Sequence, residues 1–226
     1  MIVAVHQPQY MPWLGYFDKI DRADVFVLLD NVQFKKNEWQ NRNRIKSPQG
    51  PQWLTIPVRY KFPQLINEVE INHQERWQHK QQQALLSNYR KAPFWAILEP
   101  LQGEIFSRTW TMLADLNIYV VKQLVNLLGI TTPLYTASEL CAFPEEPDER
   151  LVAITKYFGA DTYLAGSGGH DYMKLDIYEQ AGIKVLFQDY QHPAYSQLFG
   201  SFEPYLSAID LIYNHGADSL NILRGT

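Results

Sequence analysis

Two stretches of this 226-residue chain combine histidines with glycines that would let the backbone approach an anion. The first is His6-Gln7-Pro8-Gln9-Tyr10-Met11-Pro12-Trp13-Leu14-Gly15-Tyr16, and the second is Gly166-Ser167-Gly168-Gly169-His170. Backbone N–H groups in a glycine-bearing turn at a helix start can bind phosphate or carboxylate. Histidine, with its pKa near neutrality, suits proton transfer or a phosphate contact. The two stretches therefore predict an anion site with His6 and His170 as proton carriers, although a plain tight turn also explains the second.

A third stretch, residues 31–45, begins the most basic part of the chain. Between residues 31 and 62 one acidic residue, Glu38, accompanies the basic residues Lys35, Lys36, Arg42, Arg44, Lys46, Arg59 and Lys61. This is a local charge of +6 in a protein of net charge −4, so the remainder carries −10. One basic segment in an acidic protein favours a small anionic or nucleotide ligand over a long nucleic-acid track. The alternatives are a solvated hairpin rim and a short single-stranded nucleic-acid site that stacks bases on Phe34 and Trp39.

Alternating strands and helices must position these stretches. Apolar runs, which are typical of strands covered on both faces, predict buried strands at residues 2–5, 23–29, 161–165 and 183–187. Leu14, Phe17 and Ile20 follow the first strand at helical spacing. Other helices are predicted at residues 109–128 and 203–215. This order indicates an α/β fold with a mainly parallel sheet and puts both glycine-bearing loops at strand exits, where ligands bind.

The composition is that of a folded protein with a large core, since 46% of the residues are hydrophobic and 19% are charged. The single cysteine, Cys141, excludes an intramolecular disulfide and indicates a reducing compartment, and we expect a buried structural thiol there. No His or Cys spacing matches a zinc motif, so no protein metal site is predicted. No apolar run approaches the roughly 18 residues of a membrane span, and Met1 leads directly into the first strand. We therefore expect a cytoplasmic protein with no membrane partner.

The run His-Gln-Pro-x-Tyr-x-Pro-Trp-x-Gly-Tyr-Phe-x-Lys-Ile, from His6 to Ile20, resembles the opening signature of the WbqC-like protein family. The resemblance covers nearly the whole chain, including residues 33–44, 77–93 and 163–172. It implies one domain, residues 1–226, with a core at about 1–45 and 130–200, an insertion and helical part at about 46–129, and a C-terminal helix at about 203–215. Members occur mostly in bacterial gene sets for surface polysaccharides such as O-antigen, so the resemblance implies a biosynthetic role.

A more distant resemblance is to the nucleotidyltransferase superfamily, which includes pantothenate synthetase. That superfamily has His-x-Gly-His after its first strand, where this chain keeps Gly15 but has Trp13 and Tyr16 in place of the histidines. The resemblance implies a Rossmann-like, mainly parallel sheet with helices on both faces, plus a small β-rich insertion and a helical subdomain.

Together these resemblances imply a nucleotide-dependent transferase or ligase that activates a carboxylate or transfers a group to an amino sugar or amino acid. The implied cofactor is ATP or another nucleoside triphosphate with Mg²⁺, which Asp30 or Asp189 could hold through water. The implied catalytic residues are His6, Lys36, Arg42 and His170. The implied ligand contacts are Gln7, Pro8, Tyr10, Trp13, Gly15, Tyr16, Lys19, Asn41, Gly166, Ser167, Gly168 and Gly169. A noncatalytic nucleotide or sugar-nucleotide binding protein is the alternative, and a homodimer stays open.

Overall fold

Strands form where apolar β-branched and aromatic residues cluster, and helices form where apolar side chains recur every three or four positions. The computed structural model describes residues 1–226. The strands are β1 (Ile2–His6), β2 (Val25–Leu28), β3 (Arg42–Ser47), β4 (Gly50–Thr55), β5 (Val58–Arg59), β6 (Glu70–Ile71), β7 (Leu134–Thr136), β8 (Thr162–Ala165) and β9 (Lys184–Phe187). The helices are α1 (Leu14–Asp21), α2 (Trp77–Tyr89), α3 (Glu99–Ser107), α4 (Leu113–Leu128), α5 (Pro147–Tyr157), α6 (Leu175–Gln180), α7 (Ala208–His215) and α8 (Ser219–Arg224).

Two compact units make up the chain. Unit 1 consists of Met1–Gln7, Gly15–Asn31 and Thr131–Gln191, and unit 2 consists of Pro8–Leu14, Val32–Ile130 and His192–Thr226. Unit 1 lies within the residues predicted as the core, 1–45 and 130–200. Residues 8–14, 32–45 and 192–200 of that predicted core belong to unit 2 instead.

Unit 1 is built on a parallel sheet with the order β7-β2-β1-β8-β9. Counted along the chain, these strands are the third, second, first, fourth and fifth of the sheet, which is the strand order of a Rossmann-type fold. The predicted α/β class with a Rossmann-like, mainly parallel sheet is confirmed. The order reverses between β1 and β8, so the topological switch point lies at the carboxyl ends of these two strands.

Both faces of this sheet are buried. Val3, Val5 and Tyr163 face one side, in an apolar cluster with Val152 of α5 and Tyr178 of α6. The opposite face carries Phe26, which is fully buried and packs edge-on against Tyr16 of α1 at 5.6 Å between ring centroids. Because a strand in a sheet that is covered on both faces must be apolar at every position, this arrangement explains the runs of hydrophobic residues in the strands.

Unit 2 contains the helical part and two small antiparallel sheets. The β3–β4 hairpin pairs Arg44 with Trp53, and β5 pairs with β6. The longest helix, α4, buries an apolar stripe and ends at Gly129, whose φ of +77° forms a left-handed cap. This confirms the predicted long helix and its end, but the helix begins at Leu113 rather than at residue 109, because the backbone of Met112 is extended.

Two further predictions about local structure are wrong. The C-terminal helix α7 begins at Ala208 rather than near residue 203, because the Ser207 hydroxyl accepts a hydrogen bond from the Ile209 N–H and caps the helix there. Cys141 is exposed rather than buried, because it follows a short 3-10 segment, Ala137–Glu139, that leads into a surface loop. No helix has both the length and the apolar composition needed to cross a membrane.

Candidate functional site

The two stretches singled out by their glycines and histidines meet the sheet of unit 1 at its switch point. His6 ends β1 and Gln7 follows it, while Gly166 to His170 follow β8, the strand paired with β1. Ligands of open α/β sheets bind outside the carboxyl ends of the strands at this point. The sheet therefore brings the predicted proton carriers and part of the predicted phosphate loops to one edge.

His6 is half-buried and its ring is held in place on two sides. Its Nδ1 lies 3.1 Å from the Gln7 carbonyl oxygen, which can only accept, so Nδ1 carries the proton and Nε2 is left as an acceptor. The ring packs edge-on against Tyr16 at 4.9 Å. Burial, with a smaller contribution from the charge of Lys19, lowers the pKa of His6 from 6.5 to about 4. The imidazole is therefore neutral at pH 7 and can orient an acceptor group better than it can donate a proton.

Tyr16 does not present its hydroxyl to a ligand. The side chain is buried, and its hydroxyl donates to the Gln7 carbonyl oxygen at 3.1 Å. The Gln7 carbonyl thus accepts from both His6 and Tyr16, which fixes the loop that leaves β1. Tyr16 supports the site from within instead of lining it.

Lys19 is the most unusual side chain of unit 1. It is 3% exposed, and its Nζ donates to the Val5 carbonyl oxygen of β1 at 3.0 Å and lies 5.9 Å from the centre of the Tyr163 ring of β8. No carboxylate pairs with it, so burial lowers the pKa of the ammonium from 10.5 to about 7. A buried positive charge without a partner is costly, and an anion nearby would stabilise it. The ammonium therefore lies close to both strands that form the switch point.

The glycines after β8 have different roles. An added Cβ at Gly169 would lie 2.7 Å from the Met173 Sδ and 3.1 Å from a Phe187 ring carbon, so a larger residue there would displace the flexible Met173 side chain and press on the Phe187 ring. Its N–H donates to the Gly166 carbonyl oxygen at 2.9 Å, which closes the tight turn considered as the alternative. An added Cβ at Gly166 or Gly168 would meet no atom within 4 Å. Neither packing nor a positive φ explains glycine at these two positions, and both leave room for a close ligand.

Ser167 and His170 lie in the short 3-10 segment Ser167–Asp171. Both side chains are exposed. The His170 ring stacks on Phe187, the last residue of β9, with 3.5 Å between the centroids. His170 is therefore accessible to a ligand at the carboxyl edge of the sheet, in contrast to the half-buried His6.

Gln188 belongs to this site although the sequence analysis did not select it. Its Nε2 donates to the Gly15 carbonyl oxygen at 2.7 Å and to the Asp18 carboxylate at 2.6 Å. Burial raises the pKa of Asp18, although Gln188 and Arg22 oppose this shift. The amide thus ties the residue after β9 to the first turn of α1. The position of this amide directly after the last apolar strand could have indicated a site residue, but the sequence analysis names only the adjacent Asp189, as a possible Mg²⁺ ligand.

Four predicted ligand contacts lie in unit 2, and the structure gives each of them a partner there. Tyr10 is fully buried and its hydroxyl donates to the Gln81 side chain at 2.7 Å, while the Pro8 carbonyl oxygen accepts from Asn117 at 3.1 Å. Trp13 stacks on His192 with 6.3 Å between centroids. Asn41 donates to the Ile56 carbonyl oxygen and accepts from the Asn37 N–H, both at 3.0 Å. The side chains of Tyr10 and Asn41 are therefore packing and loop-fixing elements of unit 2.

The predicted catalytic cations Lys36 and Arg42 also belong to unit 2. Lys36 is exposed and lines a cleft of about 220 Å³ together with Asn41 and Thr55. Arg42 lies over the Trp53 ring at 4.3 Å. Their part in catalysis stays a prediction.

The predicted indirect Mg²⁺ ligands are engaged elsewhere. Asp30 is buried, and its two carboxylate oxygens accept from the backbone N–H and the hydroxyl of Ser138 at 2.9 and 2.5 Å. Asp189 is exposed and accepts from the Gln191 amide at 2.9 Å. Asp30 thus caps the 3-10 segment after β7. No group of three or more His, Cys, Asp or Glu side chains is arranged to hold a metal ion.

Comparison with protein-family models identifies one family. The sequence model of the WbqC-like protein family matches residues 7–222. A curated relative, "Uncharacterized protein Rv1507c" of Mycobacterium tuberculosis, is 35% identical over 226 residues, which cover 98% of this chain and 97% of the relative. No solved structure matches the chain significantly.

Proposed function

The chain belongs to the WbqC-like protein family, and we propose that it is a nucleotide-dependent biosynthetic enzyme that binds its nucleotide at the carboxyl ends of β1 and β8. This site lies wholly in unit 1. The strand order with its switch point supports the proposal, because nucleotides bind Rossmann-type sheets at that point. The proposed reaction is carboxylate activation or group transfer to an amino sugar or amino acid.

The observation that carries the proposal is the uncompensated charge of Lys19. Its Nζ contacts β1 and lies near β8, yet no acidic side chain pairs with it. In an interior of low dielectric constant, a positive charge stabilises an anion over several ångströms without direct contact. Lys19 therefore favours phosphate above the switch point, and its burial cost is offset when such an anion is present.

The remaining residues would take complementary roles around a nucleoside triphosphate. Gly166 and Gly168 leave space for the phosphates to approach the backbone, and the first N–H groups of a helical segment have no acceptor within it. The Nε2 lone pair of His6 would orient the acceptor, and the exposed His170 would transfer a proton. A bound nucleoside triphosphate would supply the electrophilic phosphorus and the leaving group. Its Mg²⁺ would be held mainly by the phosphates, as is usual for this ion.

The acceptor class depends on the family resemblance. Gene sets for surface polysaccharide and related biosynthesis contain amino sugars and amino acids as substrates, so these are the acceptors that we propose. The neutral His6 is consistent with such an acceptor, since an imidazole lone pair can accept a hydrogen bond from an amine or hydroxyl group.

A thermal-shift screen tests the proposal. ATP, CTP, GTP and UDP-sugars would be added with and without Mg²⁺ to the wild type, Gly168→Val and the control Gly103→Val, in which the replaced glycine of α3 is also unobstructed. We expect one nucleotide to stabilise the wild type and the control, by about 2.7 kcal/mol at 100 times its dissociation constant, but not Gly168→Val. No stabilisation by any nucleotide, or equal stabilisation of Gly168→Val, would contradict the proposal.

A noncatalytic nucleotide-binding protein is the second candidate, and Tyr16 favours it. At this position the nucleotidyltransferase superfamily has a histidine, whereas the Tyr16 hydroxyl is buried and bonded to the Gln7 backbone. Turnover with a bound nucleotide distinguishes the two candidates. In an enzyme, His170→Ala would abolish nucleotide consumption and leave nucleotide affinity within a few-fold of the wild type. In a binding protein neither form would consume nucleotide.

A further inference from the structure

Arg42 carries a guanidinium group whose hydrogen-bonding capacity is unused. The side chain forms no ion pair and donates no hydrogen bond within the protein, and its Nε is buried without an acceptor. The residue as a whole is partly exposed. Five N–H donors in a planar fork are normally paired with carboxylates, phosphates or carbonyl groups. The free end of this fork is therefore available to an oxyanion from solution.

The guanidinium is nevertheless held in a defined position. Its carbon lies 4.3 Å from the centre of the Trp53 ring, a cation–π contact across the β3–β4 hairpin. Arg44, two residues further along β3, lies 5.7 Å from the same ring. A cation–π contact restrains the guanidinium against the ring without using its N–H donors, so an oxyanion would meet a fork that is already positioned.

Apolar surface lies beside this fork. Trp53 is 44% exposed and Trp39 is 37% exposed, and their rings lie 5.7 Å apart at an angle of 34°. An exposed pair of indoles next to two guanidinium groups can contact an aromatic ring on a ligand. Because the charged and the aromatic side chains are adjacent, the surface suits a ligand that carries both an oxyanion and a ring.

A small cleft lies at the same end of the β3–β4 hairpin as Arg42. Thr55, the residue directly opposite Arg42 in the hairpin, lines a cleft of about 220 Å³ with the exposed Lys36. The one carboxylate in the lining, Glu75, lies 4.0 Å from the Lys80 ammonium, so its charge is partly compensated. Clefts for drug-sized ligands measure about 300–1,000 Å³, so this one suits a smaller molecule with a single ring.

We infer that Arg42, Trp53 and this cleft form a binding site in unit 2 for a small aromatic phosphate or carboxylate. The terminal nitrogens of Arg42 bind the oxyanion bidentately, Lys36 adds positive charge, and the exposed indoles contact the ring. Arg42 then acts as a binding residue of unit 2, a role that does not depend on the nucleotide site proposed in unit 1.

Titration with phenyl phosphate, followed by calorimetry and by the NMR signals of the arginine Nε–H groups, tests the inference. We expect saturable binding to the wild type and at least tenfold weaker binding to Arg42→Lys, which keeps the charge but loses the planar fork. Arg59→Lys, an exposed arginine on β5, is the matched control and should bind like the wild type. Equal affinity of Arg42→Lys and the wild type, or no binding of phenyl phosphate or benzoate, would overturn the inference.

Further ligands define the chemistry of the occupant. Tighter binding of phenyl phosphate than of benzoate identifies a phosphate ligand, and the reverse identifies a carboxylate. Inorganic phosphate should bind at least several-fold more weakly than phenyl phosphate, and equal affinity would overturn the part assigned to the indoles. Lys19→Met should leave phenyl phosphate binding unchanged, whereas it should weaken nucleotide binding. Failure of one site is thus distinguishable from failure of the other.

Discussion

A lysine as deeply buried as Lys19 destabilises the folded protein while it is protonated. Lys19 lies four residues after Gly15, and this position suggested a ligand contact. Because lysine is ordinarily a surface residue, the sequence contained no sign that Lys19 is buried without a counter-charge. The sequence could not distinguish Tyr10 from Trp13 either, since both are aromatic residues of one loop. Burial and hydrogen-bond partners depend on the tertiary structure. Lys19 and His6 contact the end of β1 at the proposed site, whereas the side chains of Tyr10 and Asn41 are bonded within unit 2.

The pH dependence of stability tests the state of Lys19. The pKa is about 7 in the folded protein and 10.5 in the unfolded chain, so between these values the unfolded chain binds more protons. The contribution of this group therefore makes stability rise from about pH 7 to 10.5, by up to about 1.4 kcal/mol per pH unit. We expect Lys19→Met to remove this rise and to be more stable than the wild type at pH 7, by an amount on the order of a few kcal/mol. Urea denaturation of both proteins from pH 6 to 9.5 measures the difference, and parallel curves would refute the assignment.

The His6 ring gives a second prediction at this scale. With a pKa of about 4, compared with 6.5 in the unfolded chain, His6 stays neutral when the folded protein is brought from pH 7 to pH 5. The unfolded chain binds more protons in this window, so the contribution of His6 to stability decreases as the pH falls from 6.5 to 4. NMR of the imidazole nitrogens should show the Nδ1–H tautomer at pH 6. A His6 signal that titrates near pH 6.5 would show that the ring is more solvated than the structure indicates.

The helices and strands were predictable to different degrees from their sequence patterns. The apolar stripe and terminal glycine of α4 contain the information for both the helix and its end, because both are local features. The start of α7 was missed because Pro204 is compatible with a first helical turn, whereas the Ser207 cap places the start later. For the segment after β8, sequence alone could not assign separate roles to three nearby glycines.

Those glycines provide a prediction at the scale of the segment. Gly169→Ala should destabilise the protein by about 1 kcal/mol, because the new methyl group would displace the Met173 side chain and press on the Phe187 ring. Gly168→Ala, one residue earlier, meets no atom within 4 Å and should change stability by less than about 0.5 kcal/mol. Thermal or urea denaturation of the pair measures both effects. Equal destabilisation by the two substitutions would contradict the packing described for this segment.

At the scale of the whole molecule, the alternation of strands and helices predicted the α/β class, but the strand order required the structure. Parallel strands are joined by crossover connections, so neighbours in the sheet can be far apart along the chain. The neighbour of β1 across the switch point is β8, about 160 residues away. Likewise, residues 32–45 lie between two parts of unit 1 in sequence but belong to unit 2. The resemblance therefore groups Lys36 and Arg42 with the proposed phosphate loops, whereas they belong to a different unit of the structure.

The central claim is that an anionic nucleotide binds at the carboxyl ends of β1 and β8 under the influence of the Lys19 charge. The most direct test is the nucleotide affinity of the wild type and Lys19→Met, measured by calorimetry from pH 6 to 8.5. Between pH 6 and 8.5 we expect the nucleotide affinity of the wild type to fall about tenfold more than that of the variant, because Lys19 loses its proton in this range. Lys19→Met should bind at least tenfold more weakly at pH 6. If the folded Lys19→Met protein binds the nucleotide as tightly as the wild type at every pH, the anion site is not where this account places it.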